Sequence, residues 1–333
     1  MLKWIVWFPL KLLGWGLGIV GAAALVLTTM IASPLPRLPE LTSVSQAARA
    51  VDRSTMPSLE RFSARDGTVL AYRHYPARGP ASDKIAILVH GSSGSSPAVH
   101  ALADALAARG VETYAPDIRG HGGSGMRGDV ALIGQLENDI EDLVAVVRKT
   151  SPGGPLTLLG HSAGGGFALR LASSPIQDLF ARTVLLAPYL GYDAPTNRPD
   201  SGGWARADIP RFIGLSVLRR LGILCCESLP TLAFAVPANS ERILASTYSY
   251  RLMRNFATRG YRDDFAATRH PVTLISGADD ELMLPDKYAD AVHAIAPSVE
   301  VKLIDGVDHM GIVSDPKAVS AVADDVARAR VGS

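Results

Sequence analysis

The 333-residue sequence contains only two cysteines, and they are neighbours, Cys225 and Cys226. Adjacent cysteines rarely form a disulfide with each other and make a poor metal site alone. The sequence therefore predicts neither a disulfide framework nor a cysteine-based metal module. The pair carries no information about the redox compartment.

The sequence also lacks a surplus of either charge, because 33 Lys and Arg residues face 32 Asp and Glu residues, a formal charge of +1. Such a charge balance does not predict binding to nucleic acid. It has no low-complexity tract and no repeat at solenoid or propeller periods. No His, Cys and carboxylate cluster has ligand spacing, and no Walker or Rossmann glycine pattern occurs, so neither a metal nor a cofactor is predicted.

One long apolar run is present, near the amino end. Residues 12–32 read LLGWGLGIVGAAALVLTTMIA, carry no charge and are about long enough to cross a bilayer. Trp4, Trp7 and Trp15 lie near one end, as interfacial aromatic residues do. A cleaved signal peptide is the alternative, but its apolar region is usually shorter, and Met30–Ala32 lacks the small residue expected three positions before a cut.

We therefore predict an N-terminal membrane helix within residues 1–33, a linker over residues 34–58 and a globular domain over residues 59–333. Lys3 and Lys11 precede the apolar run without an acidic residue among them, whereas the charges that follow it are mixed. The positive-inside rule thus favours a single-pass protein whose globular domain lies on the non-cytoplasmic side.

From residue 59 onward, strand patterns alternate with helix patterns. KIAILVH at 84–90 is a short, almost continuous apolar run, typical of a strand buried on both faces. Apolar residues at steps of three and four between Ile133 and Val147 mark one face of a helix. The alternation predicts an α/β fold with a mostly parallel central sheet and helices on both faces.

About eighty residues between Pro188 and Pro271 break this alternation. A loop of that length is not structureless inside a compact domain, so the segment predicts a small helical cap insertion at about 189–265. It follows the carboxyl end of a predicted strand, where open α/β sheets bind their ligands.

The pentapeptide Gly-His-Ser-Ala-Gly at 160–164 is a candidate catalytic motif. Gly-x-Ser-x-Gly alone is a weak signal, but here a strand precedes it and a helix follows, which is the context of a nucleophile elbow. Such a turn would expose the Ser162 hydroxyl above the sheet and leave the Ala163 N–H free to bind an oxyanion. We predict Ser162 as a nucleophile rather than part of a functionless glycine-rich corner.

A serine nucleophile needs a base that is oriented by a third group. Three histidines follow Ser162 in the sequence. His270 precedes a strand, at the wrong end of the sheet, and His293 lies in a helical stretch. His309 follows the strand VEVKLID and is therefore predicted to be the base.

The acid is expected in SGADDE, which follows the strand PVTLI. We prefer Asp280, three residues past Gly277, although spacing alone excludes neither Asp279 nor Glu281. Asp308 adjoins the predicted base directly, and successive loop side chains usually diverge.

A second oxyanion donor is expected from the loop LVHGSSGSS after the third strand. His90-Gly91 lets the backbone turn there, and the following Ser92 N–H is the predicted donor.

Together these motifs resemble those of α/β-hydrolases, in the branch of lysophospholipases, monoacylglycerol lipases and serine-aminopeptidase-like hydrolases. The resemblance covers nearly everything from about residue 59 to 330. It is carried by His90–Gly94, Asp117–Ser124, Gly160–Gly164, Gly277–Asp280 and Asp308–His309. It implies an α/β-hydrolase fold and implies Asp280 rather than Asp279 as the acid. It also implies that Asp117, Arg119 and His121 order a loop beside the site.

The expected activity is hydrolysis of carboxylic esters through an acyl-enzyme, with Ser162, Asp280 and His309 as the triad. The predicted membrane helix and the apolar stretches of the cap favour a substrate with one acyl chain. The alternatives are an aminopeptidase-like amide hydrolase and a non-catalytic binding protein of the same fold. An aminopeptidase would need an acidic patch in the cap to bind the substrate's amine, yet residues 189–262 contain more Arg than Asp and Glu together. A non-catalytic protein of this fold often lacks a catalytic residue, whereas here every expected catalytic position is filled.

Overall fold

The computed structural model describes residues 2–35, 37–80, 82–238, 240 and 243–329. The helices are α1 (Leu2–Ile31), α2 (Thr42–Ala50), α3 (His100–Ala108), α4 (Gln135–Thr150), α5 (Ala163–Ala172), α6 (Ile209–Arg220), α7 (Tyr250–Asn255), α8 (Tyr261–Ala267), α9 (Tyr288–His293), α10 (Gly311–Ser314) and α11 (Pro316–Arg328). The strands are β1 (Leu59–Ser63), β2 (Val69–Tyr75), β3 (Ile85–Val89), β4 (Glu112–Asp117), β5 (Leu156–His161), β6 (Arg182–Leu186), β7 (Ala205–Ala207), β8 (Pro230–Phe234), β9 (Thr247–Ser249), β10 (Val272–Gly277) and β11 (Glu300–Ile304).

Eight strands form the central sheet, in the order β1-β2-β4-β3-β5-β6-β10-β11. The β1–β2 and β2–β4 pairs are antiparallel, and the other pairs are parallel. Every residue of β3, β5, β6 and β10 is buried, because helices cover both faces of the sheet. The predicted mostly parallel α/β architecture is confirmed.

The cap lies between β6 and β10 and is only partly helical. Besides α6, α7 and α8 it contains a second sheet, β7-β8-β9, with both pairs antiparallel. The sequence predicted a small helical insertion without this sheet, because β7 and β9 have three residues each and are too short to show an alternating pattern. Leu215, Phe234 and Tyr248 of its apolar stretches are buried, and the last two belong to the main hydrophobic core.

The segment predicted as a linker contains helix α2 and packs against the domain. Val44 of α2 is buried in the main hydrophobic core, and the Leu41 N–H donates to the carbonyl oxygen of Ala235 in the cap, 3.0 Å away. This part of residues 34–58 therefore packs against the globular domain.

Helix α1 contains one stretch long and apolar enough to cross a membrane, Gly14–Ile31, with a mean hydropathy of 1.8 and no residue buried. Its carboxyl end is bonded to the cap. The Ser33 hydroxyl donates to both carboxylate oxygens of Asp208 at 2.8 and 2.7 Å, and Arg211 Nε donates to the Ile31 carbonyl oxygen at 2.9 Å. Asp208 is also the N-cap of α6, so the end of α1 and the start of α6 share one carboxylate.

Candidate active site

Ser162 occupies a strained turn between β5 and α5. Its φ of 55° and ψ of −119° lie outside the regions that non-glycine residues favour. The turn is so tight that a Cβ on Gly160 would lie 2.1 Å from the Gly164 carbonyl oxygen, and one on Gly164 would lie 2.3 Å from the His90 carbonyl oxygen. These two glycines are therefore required by backbone contact, and the turn brings Ser162 to the amino end of α5.

Asp280 and His309 meet at the same edge of the sheet. His309 Nδ1 lies 2.8 Å from Asp280 Oδ2, and both side chains are almost fully buried. The other carboxylate oxygen, Oδ1, accepts the N–H groups of Leu282 and Met283, each at 2.8 Å. Burial alone would raise the pKa of Asp280, but His309 and these two N–H groups hold it below its ordinary value.

The imidazole of His309 lies beside the elbow. Its ring centroid is 4.9 Å from that of His161, the residue immediately before Ser162, and His161 Nε2 donates to the His309 carbonyl oxygen at 3.1 Å. Burial, with a smaller contribution from the charge of His309, lowers the pKa of His161 to about 3. A neutral His161 therefore supports the backbone of the predicted base.

The other carboxylates considered for the acid do not face the His309 ring. Asp279 is exposed, and Asp308 Oδ1 accepts the Gly311 N–H at 2.6 Å. Glu281 does contact His309, but through the backbone, by accepting the His309 N–H at 3.0 Å. The structure thus places Asp280 alone of these four on the His309 ring.

The remaining histidines after the elbow lie elsewhere. His270 Nε2 lies 2.9 Å from Asp178 Oδ1 at the surface, and His293 Nε2 donates to the Val299 carbonyl oxygen at 2.9 Å. Neither contacts Asp280.

The predicted oxyanion donors lie on the two loops that meet at Ser162. A Cβ on Gly91 would lie 3.2 Å from the Ser162 Cβ, so the loop after β3 touches the elbow. Within the described chain, neither the Ser92 N–H nor the Ala163 N–H donates to another protein group. N–H groups without a protein partner, one of them at a helix start, are the kind of donor that can bind a negative oxygen.

Three loop residues implied by the resemblance make the ordering contacts expected of them. Asp117 accepts the Ser96 and Gly123 N–H groups at 2.8 Å each. Arg119 pairs with Asp66 and Asp139. His121 Nε2 contacts the Tyr248 hydroxyl of the cap.

Four side chains near the predicted triad and oxyanion loop were not predicted from the sequence: His161, Trp204, Tyr248 and Glu281. His161 and Glu281 directly adjoin Ser162 and Asp280 in the sequence, and this proximity could have indicated that their side chains lie at the site. Trp204 and Tyr248 lie in the cap and reach the loop only through the tertiary fold.

An open groove of about 1240 Å³ lies at the opposite edge of the sheet, near the starts of β6 and β10. Its lining includes Arg182, Lys302 and Asp325, which pair with one another. Since the amino ends of the strands face away from Ser162, this groove is separate from the candidate active site.

A family model described as "Serine aminopeptidase, S33" matches residues 80–317. The chain belongs to this family of α/β-hydrolases. The family resemblance that the motifs predicted is thereby confirmed, and so is the fold.

The relatives agree with this family. The chain is 33% identical over 281 residues to the uncharacterized protein YnbC of Escherichia coli K12, a match that covers 81% of this chain and 46% of YnbC, about half its length. It is 25% identical over 244 residues to the monoglyceride lipase homolog of monkeypox virus, covering 68% of this chain and 81% of that protein.

A solved structure of a soluble variant of monoglyceride lipase from Saccharomyces cerevisiae, in complex with a substrate analog, has the same fold. Its TM-score is 0.61 at 19% identity, over 83% of this chain and 95% of that one. This α/β-hydrolase therefore shares its architecture with that lipase.

Proposed function

We propose that this α/β-hydrolase is a serine hydrolase that cleaves carboxylic esters through an acyl-enzyme. Ser162 is the nucleophile, His309 the base and Asp280 the orienting acid. The observation that carries the proposal is the buried 2.8 Å pair of Asp280 and His309 beside the strained Ser162 turn. That arrangement has the parts that acyl transfer needs: a nucleophile, a base, an orienting acid and oxyanion donors.

In the proposed reaction, Ser162 Oγ attacks the ester carbonyl carbon while His309 Nε2 takes the hydroxyl proton. The Ser92 and Ala163 N–H groups stabilise the oxyanion of the tetrahedral intermediate. The intermediate collapses, the C–O bond to the alcohol breaks, and the alcohol leaves with the proton from His309. Water then attacks the acyl-enzyme, giving its proton to His309, and collapse releases the carboxylic acid and restores the Ser162 hydroxyl.

We further propose a substrate with one acyl chain, such as a monoacylglycerol or a lysophospholipid. The relative named as a monoglyceride lipase homolog supports this substrate class. So does the apolar helix α1, whose Gly14–Ile31 stretch has the length and composition of a single membrane span. A domain held at a bilayer meets single-chain lipids at a high local concentration.

The contacts at the end of α1 support a membrane-anchored arrangement rather than a cleaved leader. Ser33 and the Ile31 carbonyl oxygen are bonded to Asp208 and Arg211, so the helix end is built into the cap. A leader that is removed has no need of such bonds. We propose that the active-site cap lies next to the membrane surface.

An aminopeptidase-like activity is the alternative within the family. A free substrate amine would need an unpaired carboxylate near Ser162. Among the described residues of 189–262, however, the four carboxylates Asp193, Asp200, Asp208 and Glu227 each pair with an arginine. Of the two carboxylates that follow on α8, Asp264 is buried and accepts the Ser173 hydroxyl and the Arg259 N–H, and Asp263 is exposed. These charges favour a neutral ester over a cationic amine.

The deciding experiment is fluorophosphonate labelling of the full chain in detergent, with Ser162→Ala as the matched control. Labelling of the wild type alone identifies Ser162 as an activated nucleophile. Turnover is then compared on p-nitrophenyl esters, monoacylglycerols, lysophospholipids and aminoacyl amides. Amide hydrolysis that exceeds ester hydrolysis overturns the ester assignment, and absence of wild-type labelling overturns the enzyme assignment.

A further inference from the structure

The loop that carries the Ser92 N–H is held by the cap, not only by the sheet. Ser93, the next residue, has a φ of 66°, a left-handed conformation that costs a non-glycine residue about 1 kcal/mol or more. A strained residue keeps such a conformation only when its surroundings fix it. The groups that fix Ser93 come from the cap.

Both backbone groups of Ser93 are bonded to one short segment of the cap. The Ser93 N–H donates to the Tyr248 hydroxyl oxygen at 2.6 Å, and the Ser93 carbonyl oxygen accepts the Ala245 N–H at 2.9 Å. Tyr248 lies on β9 and is almost fully buried, so its hydroxyl cannot turn away to water. The peptide groups on either side of Ser93 are thereby fixed.

The preceding residue has a third bond to the cap. Trp204 Nε1, just before β7, donates to the Ser92 hydroxyl at 2.9 Å, and the Trp204 ring packs against Phe234 with 5.8 Å between centroids. The Ser92 hydroxyl thus accepts a bond from a side chain, while the Ser92 backbone N–H donates to no group among the described residues. This division of contacts leaves the N–H available for a ligand.

The orientation of the Tyr248 hydroxyl is itself determined. His121 Nδ1 donates to the Ile118 carbonyl oxygen at 3.1 Å, which leaves His121 Nε2 to accept the Tyr248 O–H. Burial, and then the neighbouring His90, keep the pKa of His121 well below its ordinary value, so this ring stays neutral and able to accept. The chain of bonds therefore runs from Ile118 through His121 and Tyr248 to Ser93.

We propose that Tyr248 and Trp204 are positioning residues that hold the oxyanion loop so that the Ser92 N–H faces the reacting carbonyl. This inference rests on the proposed hydrolase function for its kinetic consequence, but not for its structural one. A displacement of the cap from the sheet would break these bonds and let Ser93 relax. The oxyanion hole is therefore complete only while the cap contacts the loop at Ser92 and Ser93.

The structural consequence is tested by hydrogen–deuterium exchange on the full chain in detergent. Tyr248→Phe should speed exchange at the Ser93 amide about ten-fold or more, because that N–H loses its partner. Tyr250→Phe is the matched control: Tyr250 is an equally buried cap tyrosine whose hydroxyl contacts Ser216 Oγ at 3.1 Å, away from the loop. Unchanged protection of Ser93 in Tyr248→Phe overturns the proposal.

The kinetic consequence is tested on the same variants with a p-nitrophenyl ester. Misplacing one oxyanion donor should lower kcat about 10- to 100-fold in Tyr248→Phe, with KM changed less than about three-fold. Binding of a trifluoromethyl ketone, which forms a tetrahedral adduct, should weaken by a similar factor. Tyr250→Phe should stay within about two-fold of the wild type in all three.

Trp204→Phe keeps an aromatic ring but removes the indole N–H, and it tests the same loop if Tyr248→Phe does not fold. It should lower kcat with little change in KM. A rise in KM at constant kcat would instead assign Trp204 to substrate binding and overturn its positioning role. Wild-type protein that is inactive and unlabelled refutes the proposed function, while the exchange experiment still decides whether the cap holds the loop.

Discussion

Asp280 binds His309 with one carboxylate oxygen and its own loop with the other. Oδ2 lies 2.8 Å from His309 Nδ1, while Oδ1 accepts two backbone N–H groups. The carboxylate cannot rotate without losing several bonds, so the imidazole has a fixed tautomer and orientation. Since Nδ1 carries the proton toward Asp280, Nε2 is left unprotonated for the proposed role of His309 as base.

Ser162→Ala and His309→Ala should each reduce the rate of ester hydrolysis by about 10⁴-fold or more. The double variant should be only slightly slower than either single variant, because the two residues act as a unit. Initial rates on a p-nitrophenyl ester measure this. Asp280→Asn should also lose orders of magnitude, since the amide favours the wrong tautomer. The exposed Asp279→Asn is the matched control; if it loses activity while Asp280→Asn keeps it, the acid has been misassigned by one residue.

The acyl chain should determine specificity. Each buried methylene adds about 0.8 kcal/mol, which is about four-fold in kcat/KM, until the acyl site is full. A series of p-nitrophenyl esters from acetate to laurate measures the slope. A maximum at acetate followed by a decline by hexanoate contradicts the single-chain lipid proposal and leaves a short-chain esterase.

The membrane orientation can be tested with reporters fused after Ser333. Lys3 and Lys11 lie before the apolar run, so we expect the amino end inside and the globular domain on the non-cytoplasmic side. An alkaline phosphatase fusion should then be active. Bright fluorescence from a reporter that matures only in the cytoplasm would reverse this orientation.

The junction between α1 and the cap should contribute to stability. Asp208→Ala removes the N-cap of α6 and the acceptor of the Ser33 hydroxyl, and should lower the free energy of unfolding by about 1–2 kcal/mol. Denaturant unfolding in detergent measures the loss. Asp200→Ala, which breaks only an exposed pair with Arg206, is the control and should cost less than about 1 kcal/mol. Equal losses in the two variants would mean that the junction adds nothing.

Stability should fall in mild acid because of buried neutral histidines. Burial lowers the pKa of His90, His121 and His161, the last to about 3 from an ordinary 6.5. Below about pH 6.5 the unfolded chain gains protons that the folded chain does not, so the free energy of unfolding decreases as pH falls. Each histidine contributes up to about 1.4 kcal/mol per pH unit.

Urea unfolding in detergent at pH 7.5 and 5.5 tests this pH dependence. His161→Gln keeps a donor for the His309 carbonyl oxygen but removes one titrating group, so its stability should decline less between the two values. The same decline in variant and wild type would show that His161 is not the neutral group the structure indicates.

The sheet and the elbow could be predicted because their signals are local. The apolar runs of β3 and β5 and the two glycines around Ser162 each reveal their role within a few residues. The Asp280–His309 pair followed from strand ends that meet at one edge of a parallel sheet. Spacing left Asp279, Asp280 and Glu281 open. The family resemblance favoured Asp280, and in the structure its burial and its contact with His309 separate it from its neighbours.

The cap could not be predicted in the same detail. Its sheet pairs Ala205 with Phe234 and Ala233 with Thr247, contacts that no short window of sequence contains. Helix α2 was missed because nine residues with few apolar positions show no sustained period. The bonds from Tyr248 and Trp204 to the loop at Ser92 and Ser93 span more than a hundred residues, so only the folded chain brings these groups together.

The insertion between β6 and β10 resembles an exchangeable module, since both of its ends lie on the sheet. Its contacts with Ser92 and Ser93 limit that exchange. A cap grafted from a relative would bring a different substrate pocket, but without groups equivalent to Trp204, Ala245 and Tyr248 it would leave the grafted enzyme with an unsupported loop. Changing specificity by swapping caps in this scaffold therefore requires that the donor cap and the β3 loop be transferred as a pair.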